Sequence, residues 1–266
     1  MEPSEQHENL PESSHKTTLS LLWPNISKNI NPFLALRNHT INSLYEMTDQ
    51  DIQLLTRSIS KNLKRHQLAS FKTIEFDFFW QESLTNKALS YMLNLLSHHL
   101  THVENLSFVF KSFFFDDQYM ENLGNTIYRS LPELKKLKIE FNDCENLTNK
   151  GLTCFFGKRY NQIKNLEKLV IAFHSFEDLT DNGMKLLIAG ISKQFGDLKH
   201  LEINITGAFE LTDNCLESIK KYVERMKKLE KFVFNLVWSS GMDRYAFYGL
   251  KEELEEKIKN VEMEMH

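Results

Sequence analysis

Cysteine and glycine are scarce in this chain, which has three cysteines and nine glycines among its 266 residues. The cysteines, Cys144, Cys154 and Cys215, are an odd number and lack the spacing of a metal site. The sequence contains no Gly-rich phosphate loop and no Gly-x-Ser-x-Gly nucleophile turn. We therefore predict no catalytic residues, no metal and no cofactor, and we do not expect an enzyme.

An excess of basic charge and a long apolar run are also missing. The chain has 32 Lys and Arg against 36 Asp and Glu, a formal net charge of −4, so no overall positive field attracts nucleic acid or an acidic membrane. No apolar run is long enough to span a bilayer, and the acidic N-terminus lacks the core of a signal peptide. We expect a cytoplasmic protein, with cytoskeletal association as a further guess. We expect no nucleic acid, membrane span or small-molecule ligand.

Two repeated phrases are the main positive signal in the sequence. The pattern Leu-x-x-Leu-x-Ile-x-Phe, with substitutions, opens at Phe71, Val103, Leu134, Leu166, Leu198, Leu229 and Ile258. The pattern Leu-Thr-Asp-x-Gly-Leu recurs in step with it, at residues 47–49, 84–86, 147–149, 179–181 and 211–213. A fixed period of about 32 residues predicts a stack of structural repeats, called a solenoid.

The fold of one repeat follows from its periodicities. Within residues 166–173, the large apolar residues Leu169, Ile171 and Phe173 occupy every second position, as a strand with one buried face requires. Thr180 is placed to cap a helix, and Asp181 lies where the positive end of the helix dipole favours an acid. Apolar residues then follow at helical spacing over 184–191. One unit cannot bury both of its apolar faces, so we expect neighbouring units to stack.

These phrases, seen most fully at residues 179–184, resemble the leucine-rich repeats of the ribonuclease-inhibitor-like and cysteine-containing types. The resemblance extends over residues 47–265. It implies an α/β leucine-rich-repeat solenoid, a right-handed horseshoe with about seven parallel strands inside and helices outside. It also implies protein binding without catalysis. The period is longer than is usual for that family, and Phe residues extend the strand pattern inward by one position at Phe78, Phe110, Phe141 and Phe173.

We expect three segments along the chain. Residues 1–33 lack the repeat and begin with polar sequence, so we predict a tail that is partly disordered. Within it, residues 19–33 are either a cap for the first helix or a linear motif that docks on a partner. Residues 34–248 carry the repeats, and residues 249–266 form a capping helix and strand.

The strand alternation predicts which side chains cover the inner face of the horseshoe. If Leu169 and Ile171 point into the core, their neighbours in the chain project from the opposite face of the sheet. The resulting surface mixes acidic, basic and small apolar residues, which suits a protein better than a polyanion; the alternative is a solvated face with no ligand. The candidate contacts are Glu75, Asp77, Lys136, Lys138, Lys168, Val170, Ala172, Glu202, Asn204, Val233 and Asn235.

Bulky residues in the loops after the strands form a second candidate surface. Exposed aromatic residues are frequent anchors in protein interfaces. In the alternative interpretation, a bulky loop residue packs beneath its own loop. We favour this interpretation for Phe176 and Phe209. The candidate contacts in this aromatic rim are Phe79, Trp80, Phe113, Phe114 and Trp238.

These observations favour a non-catalytic interaction or scaffold subunit of a larger intracellular assembly. It would bind a protein partner through the inner sheet face and the aromatic rim. One alternative is a substrate-recognition adaptor of a ubiquitin ligase, although residues 19–46 are short for the helical module that such an adaptor needs. The other is a regulator of a GTPase or a nuclease, which would need a positioned arginine or a strongly acidic inner face.

Overall fold

Strands and helices alternate along the chain in the computed structural model. It describes residues 48–64, 68–69, 71–78, 83–111, 115–156, 163–238 and 241–266, and the backbone of 18–21. The strands are β1 (Thr18–Leu21), β2 (Thr73–Phe78), β3 (Asn105–Lys111), β4 (Lys136–Asn142), β5 (Lys168–His174), β6 (His200–Thr206), β7 (Lys231–Val237) and β8 (Asn260–Met265). The helices are α1 (Asp49–Asn62), α2 (Asn86–His99), α3 (Asp117–Ser130), α4 (Asn149–Phe156), α5 (Asp181–Gln194), α6 (Asn214–Val223) and α7 (Arg244–Glu255).

The strands form one parallel sheet whose order follows the chain, from β1 to β8. Each described helix packs against the next helix in the same order. Neighbouring strands lie about 4.8 Å apart, whereas packed helices need about 8–10 Å, so the stack curves with the sheet on its inner side. The predicted α/β horseshoe of stacked repeats is confirmed.

The sheet has one strand more than the repeats predict. The seven expected strands pair in the register that the phrases give, for example Lys136 with Lys168 and Lys168 with His200. The additional strand β1 pairs in parallel with β2, Thr18 lying opposite Thr73. β1 lies at the end of the sheet and is held by backbone bonds to β2. Backbone bonds do not depend on the side-chain pattern, so β1 forms without the repeated phrase. Residues 22–47, which include most of the proposed cap or linear motif, lie outside the described residues.

A column of stacked rings fills the inward position that lengthens each repeat. The ring centroids of Phe78 and Phe110 lie 6.1 Å apart, those of Phe110 and Phe141 5.7 Å, and those of Phe141 and Phe173 5.4 Å. All four rings are buried, and offset stacking at these distances adds about 0.5–1.5 kcal/mol per pair to the gain from burial. The phenylalanine column therefore links β2 to β5 through side chains as well as backbone bonds.

The aspartate of the Leu-Thr-Asp phrase, or Asp117 at the same position of α3, joins neighbouring repeats at three junctions of the stack. Thr180 caps its own helix by accepting a bond from the Gly183 N–H. Asp181 reaches the following repeat, where Thr212 donates its backbone N–H to Oδ1 at 2.8 Å and its hydroxyl to Oδ2 at 2.6 Å. We call this pair of bonds the Asp–Thr clamp. The same clamp joins Asp49 to Thr85 and Asp117 to Thr148.

Two further helix starts escape the sequence pattern because aspartate replaces threonine as the cap. Asp116 accepts the Tyr119 N–H at 3.0 Å at the start of α3. Asp243 accepts the Ala246 N–H at 3.0 Å, and its own N–H bonds Asp213 of the preceding repeat. Helix α7 consequently begins at Arg244 rather than at the expected Gly249.

The glycine of the phrase leaves room for the side chain that arrives from the preceding repeat. A Cβ atom on Gly151 would lie 2.5 Å from Oδ1 of Asp117. A Cβ atom on Gly183 would overlap the side chain of Asn149, which donates a bond to Thr180. The glycine is therefore required by the contact between repeats and not by the helix itself.

This requirement predicts opposite effects for two Gly→Ala substitutions in helices. Gly183→Ala should lower the free energy of unfolding by about 1–3 kcal/mol, because the methyl group displaces Asn149. Gly249→Ala should raise it by about 0.5–1 kcal/mol, since a Cβ there meets no atom within 4 Å and alanine favours the helix. Urea unfolding of both variants measures the difference. Equal shifts of the same sign would contradict the role given to Gly183.

The residues that precede the strands form a second link between repeats at the opposite edge of the sheet. Their charge alternates along the stack: Lys72, Glu104, Lys135, Glu167, Lys199, Glu230 and Lys259. Glu104 lies 3.3 Å from the Nζ of Lys72 and 2.7 Å from that of Lys135. Glu167 lies 2.9 Å from the Nζ of Lys199. We call this column the charge ladder.

The ladder predicts a loss of stability in acid. Hydrogen bonds from Lys135 and Lys72 hold the pKa of Glu104 below its usual range, and that from Lys199 does so for Glu167. Because the folded-state pKa values lie below the unfolded value of about 4.3, this stability is complete above pH 5 and disappears as the pH falls through the folded values. The urea midpoint should therefore fall between pH 5 and pH 3, and less steeply in 1 M salt. An unchanged midpoint would rule the ladder out as a source of stability.

Candidate protein-binding surface

The register of the sheet sets out the inner-face side chains in three columns. The middle column contains Glu75, Ser107, Lys138, Val170 and Glu202 on β2 to β6. Columns on either side contain the residues two positions before and two positions after these. The strands that were predicted from alternation therefore bring every proposed inner-face residue onto one surface.

A groove of about 560 Å³ opens on this surface over β2 to β6. Seven of the proposed contacts line it, and they are Glu75, Asp77, Lys136, Lys138, Lys168, Val170 and Glu202. The groove also includes four residues that are not among the candidate contacts named above, although they occupy the same columns: Thr73, Asn105, Ser107 and Val109. Strand alternation alone was the signal that pointed to them.

The remaining proposed contacts do not line this groove. Ala172 is 1% exposed and Val233 is 6% exposed, so both side chains are buried. The amide of Asn235 donates to Asn204 at 2.8 Å, and Asn204 in turn donates to Glu202 at 3.1 Å. These residues form the floor beside the groove, and their contact with a partner stays a prediction.

Most charges of the inner face are paired with one another. Lys138 lies 2.8 Å from Glu140, and Lys168 lies 4.0 Å from Glu202. Further along the face, Lys231 lies 2.7 Å from Glu262. Such pairs between partly exposed side chains contribute little to stability. They do fix the pattern of positive and negative charge that a partner would meet.

His200 adds no positive charge to this surface at neutral pH. It is half-buried on β6, between Lys168 and Lys231 in the first column. Burial lowers the pKa of His200, and the positive charge of Lys168 lowers it further. The imidazole is therefore neutral at pH 7, since even its ordinary pKa is about 6.5.

Trp238 is an exposed residue of the rim, as the aromatic-rim hypothesis requires. It directly follows β7, is 68% exposed and has a φ of 58°, in the left-handed region that favours glycine. The same turn position after earlier strands is occupied by Asp143, Ser175 and Gly207. The Trp238 N–H donates to the carbonyl of His266 at 3.1 Å, which holds the turn in place.

The two phenylalanines expected beneath their loops behave differently. Phe176, which follows the turn residue Ser175, is 5% exposed and packs against Phe173. Phe209 is 50% exposed, so the expectation for it is wrong. The residue that follows the turn at Gly207 is Ala208, which takes the buried position and moves Phe209 outward. Phe79, Trp80, Phe113 and Phe114 lie outside the described residues.

The described part of the chain holds no cluster of three or more His, Cys, Asp or Glu side chains suited to a metal ion. Cys215 is fully buried, and this burial raises the pKa of its thiol to about 12, which disfavours the reactive thiolate. None of the described helices has the length and apolar character needed to cross a membrane.

Comparisons with known proteins add little to this picture. No family model and no curated protein matches the chain. Among solved structures it is similar to a chain of the Rad7 and Elc1 complex in yeast, with 15% sequence identity and a TM-score of 0.37. The similarity covers 82% of this chain and 63% of that chain, so this protein spans less than two thirds of its length.

The burial of the rim residues predicts a clear contrast in stability. Replacing Trp238 with Ala should leave the melting temperature nearly unchanged, because the ring is largely exposed. Phe176→Ala should cost about 3–5 kcal/mol, because it leaves a cavity under the loop. Thermal unfolding followed by circular dichroism compares the two variants. A large loss for Trp238→Ala would show that this ring packs in the core.

Proposed function

We propose that this protein is a non-catalytic interaction subunit of a protein assembly and that it binds its partner in the groove of the inner sheet face. The observation that carries the proposal is the groove itself, a concave site on a rigid sheet with charged sides and small side chains between them. The curvature of stacked repeats creates concave surfaces of this kind, which repeat proteins use for binding. A scaffold role follows if other surfaces of the same stack hold further proteins.

The balance of charge in the groove favours a protein over a polyanion. Lys136, Lys138 and Lys168 are matched in number by Glu75, Asp77 and Glu202. A nucleic-acid site needs an excess of Lys and Arg to neutralise phosphates. A folded protein surface carries both signs of charge, so it can match both sides of the groove.

A steric variant tests whether the groove holds the partner. Ser107 lies on the floor of the groove in β3, and Ser107→Trp fills that space without changing the charge. The tagged full chain, purified from its own cells, should recover partner proteins, and this substitution should reduce their recovery at least about tenfold. Quantitative mass spectrometry of the purified material provides the measurement.

The matched control is Ser90→Trp, on the exposed side of α2. It adds the same ring to the outer surface and should leave partner recovery unchanged. Equal recovery with both variants would place the partner away from the groove. Recovery of the tagged chain alone from the wild-type protein would reject the role as an assembly subunit.

A further inference from the structure

Two charges of the groove stand apart from the paired ones. Glu75 on β2 and Lys136 on β4 are both exposed, and neither forms an ion pair within 4 Å among the described residues. By contrast, Lys138 pairs with Glu140 and Lys168 approaches Glu202. We call Glu75 the acidic pole and Lys136 the basic pole of the groove.

The two poles lie on opposite sides of a strand that presents only uncharged side chains to the groove. Strand β3 runs between them and presents Asn105, Ser107 and Val109 to the groove. Two strand spacings and two residues along the strand separate Glu75 from Lys136, which places their Cα atoms about 12 Å apart. A partner that contacts both poles must therefore carry two opposite charges at a similar separation.

The sheet offers such a partner side chains but no backbone groups. Strand β3 pairs with β2 on one side and with β4 on the other, so its N–H and C=O groups are already bonded. A segment lying on this face must satisfy its own backbone hydrogen bonds. An α-helix does this within itself, whereas an extended segment would leave its backbone groups without partners wherever the sheet covers them.

We propose that the groove receives an α-helix of the partner protein that places a basic residue against Glu75 and an acidic residue against Lys136. With a rise of 1.5 Å per residue, two positions seven residues apart on a helix lie about 10.5 Å from each other on the same face. This separation is close to that of the poles, and the small side chains of β3 leave space for the helix between them. The inference rests on the proposed function, because it names the kind of partner that the groove takes.

A display library of helical peptides, with one face randomised, tests the proposal on the intact chain. Selection against the wild-type protein should enrich peptides with a basic and an acidic residue two helical turns apart. Selection against the double variant Glu75→Lys/Lys136→Glu should enrich the reversed order of charges. The best wild-type peptide should bind this double variant at least about tenfold more weakly, because two attractions become repulsions. Its charge-reversed form should recover the affinity.

The matched control exchanges two charges on the outer helices, with Lys185→Glu and Glu217→Lys. Both residues are exposed, on α5 and α6, and this variant should bind the wild-type peptide normally. Enrichment without a charge pattern, or equal binding by wild type and by the pole-exchanged variant, would overturn the proposal. Binding lost on Trp238→Ala but kept on Ser107→Trp would also overturn it, because the peptide would then occupy the rim.

These outcomes are independent of those that test the proposed function. The Ser107→Trp variant blocks any occupant of the groove, whatever its charge or conformation. If that variant loses the cellular partner while peptides show no charge pattern, the groove is the site and the helix proposal is wrong. If the partner is retained but peptides follow the poles, the groove has the proposed chemistry and the assigned function is wrong.

Discussion

The Asp–Thr clamp is the interaction on which the rest of the structure depends. A leucine-rich unit of this kind cannot bury its strand and helix faces alone, so its stability comes from its neighbours. In the clamp, Asp181 binds both the N–H and the hydroxyl of Thr212, while Thr180 caps the helix that Asp181 begins. One short phrase therefore ends the loop, starts the helix and fixes the distance to the next helix. Bonds to an ionised carboxylate are stronger than neutral ones, which suits a contact that sets the spacing of the stack.

Backbone bonds hold both ends of β4, β5, β6 and β7, and this makes the inner face rigid along these strands. The charge ladder and the backbone bonds beside it hold one end, as where Glu104 accepts the N–H groups of both Lys135 and Lys136. The turn residues hold the other end, as where the Ser175 N–H donates to the carbonyl of Thr206. A binding surface that is already ordered loses less conformational entropy when a partner arrives. The groove therefore presents its charges at fixed separations, and this is the condition for discriminating between partners by charge spacing.

The sequence predicted the parts of this fold that repeat, and it failed where a repeat is altered. The register of β2 to β8 followed from the phrases, since every strand has the same inward columns. The start of α3 escaped notice because Asp116 replaces threonine, although an aspartate caps a helix equally well. Phe209 was expected to pack beneath its loop, as Phe176 does, but the buried position is the residue directly after the turn at Gly207, which is Ala208. Strand β1 carries no phrase and is defined by backbone pairing, which a side-chain pattern does not reveal.

The same reasoning explains why the candidate site was less predictable than the scaffold. Core columns are constrained by packing, so their residue types are repeated and can be read from one chain. Residue types in the inner-face columns are free to differ between repeats. Whether a charged side chain there is paired depends on which side chains lie next to it. Lys136 and Lys138 both alternate onto the inner face of β4, yet Lys138 is paired with Glu140 whereas Lys136 has no ion pair within the described residues. The difference arises from local geometry: Lys138 and Glu140 point to the same face of one strand, two residues apart. Lys136 and Glu75 therefore differ from the other groove charges in their local geometry, and our proposal that a partner contacts both of them rests on that difference.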